Sequence, residues 1–279
     1  MSVLRNCLAP AKLNLFLHVV GRRPDGYHEL QSVMQLIDWC DILHFQTNKN
    51  GVVRRLTDLS YAAEDDDIVV KAARKLQKLS GVSDGVDIEI EKNIPWGAGL
   101  GGGSSDAATT LFALNRLWGL NFSLSQLQEI GVTLGADVPF FLSGKNAWVE
   151  GIGEILTPIC LPSKQFLICY PSEVINTVKI FTDPDLTRDS KKTTIADFLE
   201  SYCSSSEVYK NDLQPVAQKG SARLSEALIW MGQFGYPRMT GSGSSVFVEV
   251  DGKKNIQVDS QSFGLIKLVS SLSQHPFVC

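Results

Sequence analysis

The sequence predicts a mixed α/β or α+β chain with a division around residues 155–165. Three observations carry this. Period-2 apolar runs of the kind found in strands alternate irregularly with helical runs. A glycine-rich loop joins one such strand to one such helix. The 279 residues suffice for two domains of ordinary size. With 44% apolar and 20% charged residues and a net charge of −4, the chain is no disordered polymer. It also lacks the basic surplus of a dedicated nucleic-acid binder. A globular protein that binds or converts a small molecule remains.

The first strand is read at Leu13–Val20, where Leu13, Leu15 and Leu17 alternate with Asn14, Phe16 and His18 as in a half-buried strand. The turn residues Gly21 to Gly26 follow, and 33–45 again reads as extended. Asp67 is placed to cap a helix running to about Leu79, with Ile68, Val69, Ala72, Ala73 and Leu76 as its apolar stripe and Gly81 as its stop. Val86, Ile88 and Ile90 alternate with acids, which marks a strand closed by Asn93-Ile94-Pro95. A helix is expected from Ser104 to about Leu117, and another from Leu124 to about Leu134 behind a Ser123 cap.

Beyond residue 158, strands are expected at Gln165–Tyr170 and Val246–Val250, and helices at 194–202 and 222–234. Phe263–Leu272 reads as a final helix or strand. The polar stretches 187–193 and Ser204-Ser205-Ser206 read as flexible.

Six scattered cysteines form no C-x-x-C pair and suit reduced thiols, with Cys279 a plain chain end. His28-Glu29 begins like a zinc-protease signature, but Ser32 stands where the second histidine belongs. The run 13–20 is read as a mature strand rather than a signal peptide, because Asn14 and His18 interrupt it. No stretch approaches the ~20 apolar residues of a membrane span. The expected setting is the cytoplasm, with no membrane or nucleic-acid partner.

Residues 95–105, Pro-Trp-Gly-Ala-Gly-Leu-Gly-Gly-Gly-Ser-Ser, are the most informative segment. Glycines let the backbone approach a ligand closely, and a following helix start offers unpaired N–H groups to phosphate. Ser104 and Ser105 add hydroxyl donors or a magnesium ligand. No lysine follows Gly103, so this is not a Walker loop. Gly97, Gly99 and Gly102 satisfy the dinucleotide pattern, but 116–126 holds no acid for a ribose. Phosphate binding of another kind is expected.

This loop resembles that of the kinase superfamily named after galactokinase, homoserine kinase, mevalonate kinase and phosphomevalonate kinase (GHMP). Within it, three segments are similar to the 4-diphosphocytidyl-2-C-methyl-D-erythritol kinases. They are Pro10-Ala11-Lys12-Leu13-Asn14-Leu15 running on to Gly21 through His28; the triple glycine before Ser104-Ser105; and Leu134 to Phe141 followed by Glu150-Gly151-Ile152-Gly153-Glu154. Thr240-Gly241-Ser242-Gly243 looks like the superfamily's C-terminal glycine motif.

The resemblance implies an α+β fold of two domains, residues 1–157 carrying the ATP loop and 158–279 forming an α+β sandwich. It implies transfer of the ATP γ-phosphoryl, with Mg2+, to the 2-hydroxyl of a cytidine-diphosphate methylerythritol. Asp137 resembles the catalytic base, with Lys12 beside it. The ATP-binding set is Pro95, Gly97, Ala98, Gly99, Leu100, Gly101, Gly102, Gly103, Ser104 and Ser105. Asn14 and Thr177 resemble substrate-side polar residues, and Tyr27, His28 and Phe181 the cytidine-binding set. Many relatives carry Asn where this chain has Asp67, and an ionised carboxylate only accepts at an adenine edge where an amide both donates and accepts. Trp96 either walls the adenine pocket or packs. The oligomeric state is left open.

Overall fold

The structure, a computed structural model, describes residues 2–59, 63–204, 209–250 and 264–277. The expectations that fall on Ser205, Ser206, Phe263 and Cys279 lie outside the described residues. In chain order the strands are β1 (Val3–Arg22), β2 (His28–Asn48), β3 (Val53–Arg55), β4 (Gly85–Glu91), β5 (Ala147–Glu150), β6 (Ile155–Pro158), β7 (Gln165–Tyr170), β8 (Arg238–Met239), β9 (Val246–Val250) and β10 (Leu265–Ser270). The helices are α1 (Ile68–Ser80), α2 (Gly102–Leu117), α3 (Leu124–Val132), α4 (Val138–Ser143), α5 (Thr177–Thr182), α6 (Ile195–Ser204), α7 (Gln214–Gly220) and α8 (Ala222–Met231).

Two sheets organise the chain. The first runs β3-β4-β2-β5-β6, with β1 also paired to β2, and the second runs β10-β7-β9-β8. Helices α1 to α4 cover one face of the first sheet through a core that includes Leu36, Ile88, Val70, Leu111 and Phe141. The opposite face meets the second sheet through Leu13, Phe16, Trp39, Phe166 and Phe247. The outer face of the second sheet is closed by Val216 of α7 and Leu224, Leu228 and Met231 of α8. The central strand β7 serves both cores, since Phe166 and Ile168 point one way and Leu167 and Cys169 the other. No helix among the described residues is long and apolar enough to cross a membrane.

Local chemistry sets several boundaries. Asp67 caps α1 by accepting the Val69 N–H at 2.8 Å, and Gly81 ends it in the left-handed region at φ 69°. Ser123 and Gln126 form a reciprocal capping box on α3. In β4 the buried side chains are those of Val86, Ile88 and Ile90, as the alternation predicts.

Strand β1 differs from the half-buried reading: it begins at Val3, and 11–17 is buried on both faces. The reason is that the second sheet covers the side that would otherwise meet water. The first helix after the loop starts at Gly102, two residues before Ser104, so Gly102 and Gly103 lie in its first turn. Asp137 stands at the start of the short helix α4. Residues 187–193 carry no regular structure, but Arg188 within them is held by several hydrogen bonds.

Candidate active site

The pairing of β1 with β2 is irregular between Pro10 and Ala11, and this irregularity sets the site. Before it, Cys7 and Ala9 face the helix layer; after it, Ala11, Leu13 and Leu15 face the second sheet. The alternation has switched sides. Lys12 and Asn14, opposite Leu36 and Met34, therefore point toward the helices. A buried ammonium is costly unless paired. Lys12 Nζ donates to Asn14 Oδ1 at 2.5 Å and lies 3.6 Å from Asp137 Oδ2. Asn14 is fixed in turn, its Nδ2 donating to Ser32 Oγ at 2.9 Å.

The glycine loop is fastened to this strand. The Leu100 carbonyl accepts from Lys12 N at 2.9 Å, and the Ala98 carbonyl from Ser245 N at 3.1 Å. The side chains of Ala98 and Leu100 turn into the core. Gly99 and Gly101 take φ of 76° and 73°. A Cβ on Gly99 would stand 2.4 Å from the Thr240 carbonyl, and one on Gly101 would press on Phe141 and Lys12. The C-terminal motif thus packs directly on the loop, and the Asn14 N–H donates to Thr240 Oγ1 at 2.9 Å.

Helix α2 opens at the end of the loop. Its first ladder bond runs from Ser105 N to the Gly101 carbonyl, so the N–H groups of Gly102, Gly103 and Ser104 lie outside the ladder. Together with the dipole end they favour an anion.

Two cavities meet here. One of about 700 Å³ is lined by Lys12, Asn14, Tyr27, His28, Asp137, Thr177 and Phe181. The other, of about 380 Å³, is lined by Pro95 through Ser104, Asp67, Ile68 and Lys92. Gly99, Gly101 and Ser104 border both. The site expectations from the sequence therefore fall into two adjoining spaces, except Ser105, whose side chain is fully buried and lines neither. Thr177 Oγ1 bonds Ser242 Oγ at 2.8 Å, which joins α5 to the C-terminal glycine motif. His28 and Phe181 bring their rings within 5.2 Å. Tyr27 is largely exposed at the cavity wall.

Residues 67–145 match the N-terminal domain of the GHMP kinases. Over 98% of its length the chain is 52% identical to a 4-diphosphocytidyl-2-C-methyl-D-erythritol kinase of Ralstonia pickettii (strain 12J), covering 96% of that protein. The chain belongs to the 4-diphosphocytidyl-2-C-methyl-D-erythritol kinase family. A crystal structure of a 4-(cytidine 5'-diphospho)-2C-methyl-D-erythritol kinase superposes with a TM-score of 0.83 at 31% identity, covering 97% of this chain and 99% of that one. Homoserine kinase from Cytophaga hutchinsonii shares the fold, with a TM-score of 0.72 at 15% identity over 99% and 96% of the two chains.

In this family member several residues at the site belong to none of the motifs read from the sequence. Lys92 lines the second cavity and bridges two buried carboxylates, Asp41 and, at 2.7 Å, Asp106. Burial opposes the Lys92 charge, but Asp106 and Asp41 outweigh it and raise its pKa. Burial dominates at Asp106 and raises its pKa well above the usual carboxylate range despite Lys92. Asp41 Oδ1 also accepts the N–H groups of Asn93 and Ile94, at 2.6 and 2.8 Å, and so anchors the entry to the glycine loop. The available signal was a pair of aspartates, Asp38 and Asp41, inside the mostly apolar run 33–45.

Asp67 is engaged by Val69 N and by the guanidinium of Arg55. It borders the second cavity as half of an ion pair. Trp96 is 55% exposed on the wall of that cavity and does not belong to the core.

Among the described residues no cluster of three or more metal-ligating side chains occurs. Of the two loop serines, Ser104 borders both cavities.

Proposed function

We propose that this chain catalyses transfer of the ATP γ-phosphoryl group to the 2-hydroxyl of 4-diphosphocytidyl-2-C-methyl-D-erythritol. The observation that carries the reading is the meeting of two cavities at Gly99, Gly101 and Ser104, with Lys12 and Asp137 in the wall of the larger one. A phosphoryl donor in the smaller cavity and an alcohol in the larger would face each other across that border.

In this reading the triphosphate lies along residues 95–105, with its negative charge against the first-turn N–H groups of α2. Mg2+ bound to the nucleotide supplies charge neutralisation, and Ser104 is the loop serine that would hold it. Asp137 orients the acceptor hydroxyl and takes its proton. The oxygen forms a bond to the γ-phosphorus as the bond to the β-phosphate oxygen breaks, and ADP leaves. The transition state is loose, so positioning contributes more than full deprotonation. Lys12 sets its ammonium beside the Asp137 carboxylate and offsets charge on the transferring group. Asn14 fixes the Lys12 ammonium, and Thr177 approaches the substrate from α5. Tyr27, His28 and Phe181 form the aromatic lining for the cytosine base. The five described cysteines form no disulfide among the described residues, in keeping with a reducing compartment such as the cytoplasm.

The test is ADP release with Mg-ATP and the cytidine compound, with homoserine, mevalonate and galactose in parallel. Release with the cytidine compound alone is expected. Silence in every reaction, from folded protein that binds ATP, would reject the reading.

A further inference from the structure

Arg188 belongs to no motif, yet it borders the larger cavity and holds one of its walls. Its guanidinium is almost fully committed to backbone carbonyls. Nη2 donates to Asp183 at 2.6 Å and Phe181 at 3.3 Å, and Nη1 to Leu186 at 3.0 Å and Pro184 at 3.4 Å. One direction is left, and there Nε donates to His28 Nε2 at 3.1 Å.

This bond has a definite chemical consequence. A guanidinium N–H donates and cannot accept, so His28 Nε2 must present a lone pair. The ring proton of the neutral imidazole then resides on Nδ1. No described residue hydrogen-bonds that atom. The ring is held in orientation by Phe181, at 5.2 Å and 33°. Two cations act on it, Arg188 from the segment after α5 and Arg22 from the end of β1, which pairs with His28. Burial first, then these two cations, lower the His28 pKa from its ordinary value. Geometry and charge agree: His28, a residue of the cavity wall, is a neutral ring with its one N–H at Nδ1.

We propose that Arg188 is a positioning residue that locks His28 as the neutral Nδ1–H tautomer and thereby sets the choice of pyrimidine. This rests on the reading that the cavity takes a cytidine diphosphate group. Cytosine has an unprotonated ring nitrogen at position 3 and accepts such a donor. Uracil carries N–H there, so one of two facing donors loses its partner. A site built to hydrogen-bond rejects the mismatched ligand because its polar groups are left unpaired.

Two measurements test the proposal, neither of which needs turnover. The first is long-range proton–nitrogen NMR of ring-labelled histidines in the wild type and Arg188→Met, with His28→Gln to assign the resonance. The wild type is expected to show the Nδ1–H tautomer across neutral pH, and Arg188→Met a tautomer mixture with a higher titration midpoint. A wild-type Nε2–H tautomer would overturn the idea on its own, even if the variant failed to fold. An unchanged spectrum in folded Arg188→Met would do the same. The second is calorimetric binding of cytidine 5'-diphosphate and uridine 5'-diphosphate. The wild type should favour the cytidine form by about tenfold or more, one such bond being worth about that factor. Arg188→Met should bring the ratio near one and leave ATP affinity unchanged. Equal binding of both by the wild type, or an unaltered ratio in the variant, overturns the specificity role. The ADP-release experiment separately decides the reaction, so the two failures are distinguishable.

Discussion

The Lys12 ammonium lies 3.6 Å from the Asp137 carboxylate and 2.5 Å from the Asn14 amide oxygen, on the wall of the larger cavity. Lys12 is almost wholly buried, whereas Asp137 keeps 30% of its side chain exposed. Asn14 donates onward to Ser32, so the cation is held by a fixed amide and leaves the carboxylate accessible. A rigid cation beside an open carboxylate suits a group that must receive and release a proton.

Asp137→Asn keeps the shape and removes the proposed base. The turnover number should fall by about 10²–10⁴, the usual worth of general acid–base help. The KM for ATP should change little, because the loop is fastened through Leu100, Ala98 and Ser245 and not through Asp137. Steady-state kinetics separates the two parameters. A turnover number within a factor of about two of wild type, far short of that worth, would remove Asp137 from the proton's path.

Two loop glycines should respond differently to alanine. Gly99 has φ of 76°, and a Cβ would collide with the Thr240 and Gly243 carbonyls, so Gly99→Ala should separate the loop from the C-terminal motif. Thermal stability and activity should fall together. Gly103 is in the first turn of α2, and its nearest neighbour to a Cβ is Ile68 at 3.7 Å. Gly103→Ala should therefore melt like wild type. A rise in the KM for ATP in that variant would then report close approach of the phosphates, and an unchanged KM would exclude it.

Features set by neighbouring residues were legible in the sequence. The caps Asp67, Gly81 and Ser123, the alternation of β4 and the order strand, glycine loop, helix all depend on residues a few positions apart. Features made by distant segments were not. The two-sided burial of β1 requires knowledge of the second sheet. The Asp41–Lys92–Asp106 cluster joins β2, the end of β4 and α2. The short helix α5 has six residues and too few apolar positions for a period to show. Arg188 works almost entirely through carbonyl groups, which no side-chain pattern reveals.

The Arg55–Asp67 pair should prove sensitive to removal of one partner. Both side chains are at least 94% buried, and Asp67 also caps α1. Arg55→Met leaves a buried carboxylate with only the Val69 N–H, and breaking such a pair costs about 3–5 kcal/mol. Adding Asp67→Asn removes the stranded charge and should recover a large part of the loss. Urea unfolding of the two single variants and the double variant gives the coupling. Strictly additive losses would mean the pair contributes nothing as a pair.

His275 makes stability depend on pH. The ring is fully buried, its Nδ1 accepts the Phe277 N–H at 3.2 Å, and its Nε2 faces Thr109 Oγ1 at 3.4 Å. Accepting at Nδ1 puts the proton on Nε2, so the native ring is neutral. Burial lowers its pKa from 6.5 to about 4. The unfolded chain therefore binds this proton near pH 6.5 and the native chain only near pH 4. Between those values the unfolded state carries more protons, and stability falls as the pH falls. Each pH unit in the window costs up to about 1.4 kcal/mol, which amounts to roughly 2 kcal/mol at pH 5. Urea unfolding at pH 7.5 and 5.0 reads the loss directly. His275→Asn keeps an acceptor for the Phe277 N–H and cannot take up the proton. It should be less stable than wild type at pH 7.5 and lose about 2 kcal/mol less on acidification. Equal losses in the two proteins would assign the acid sensitivity to other groups.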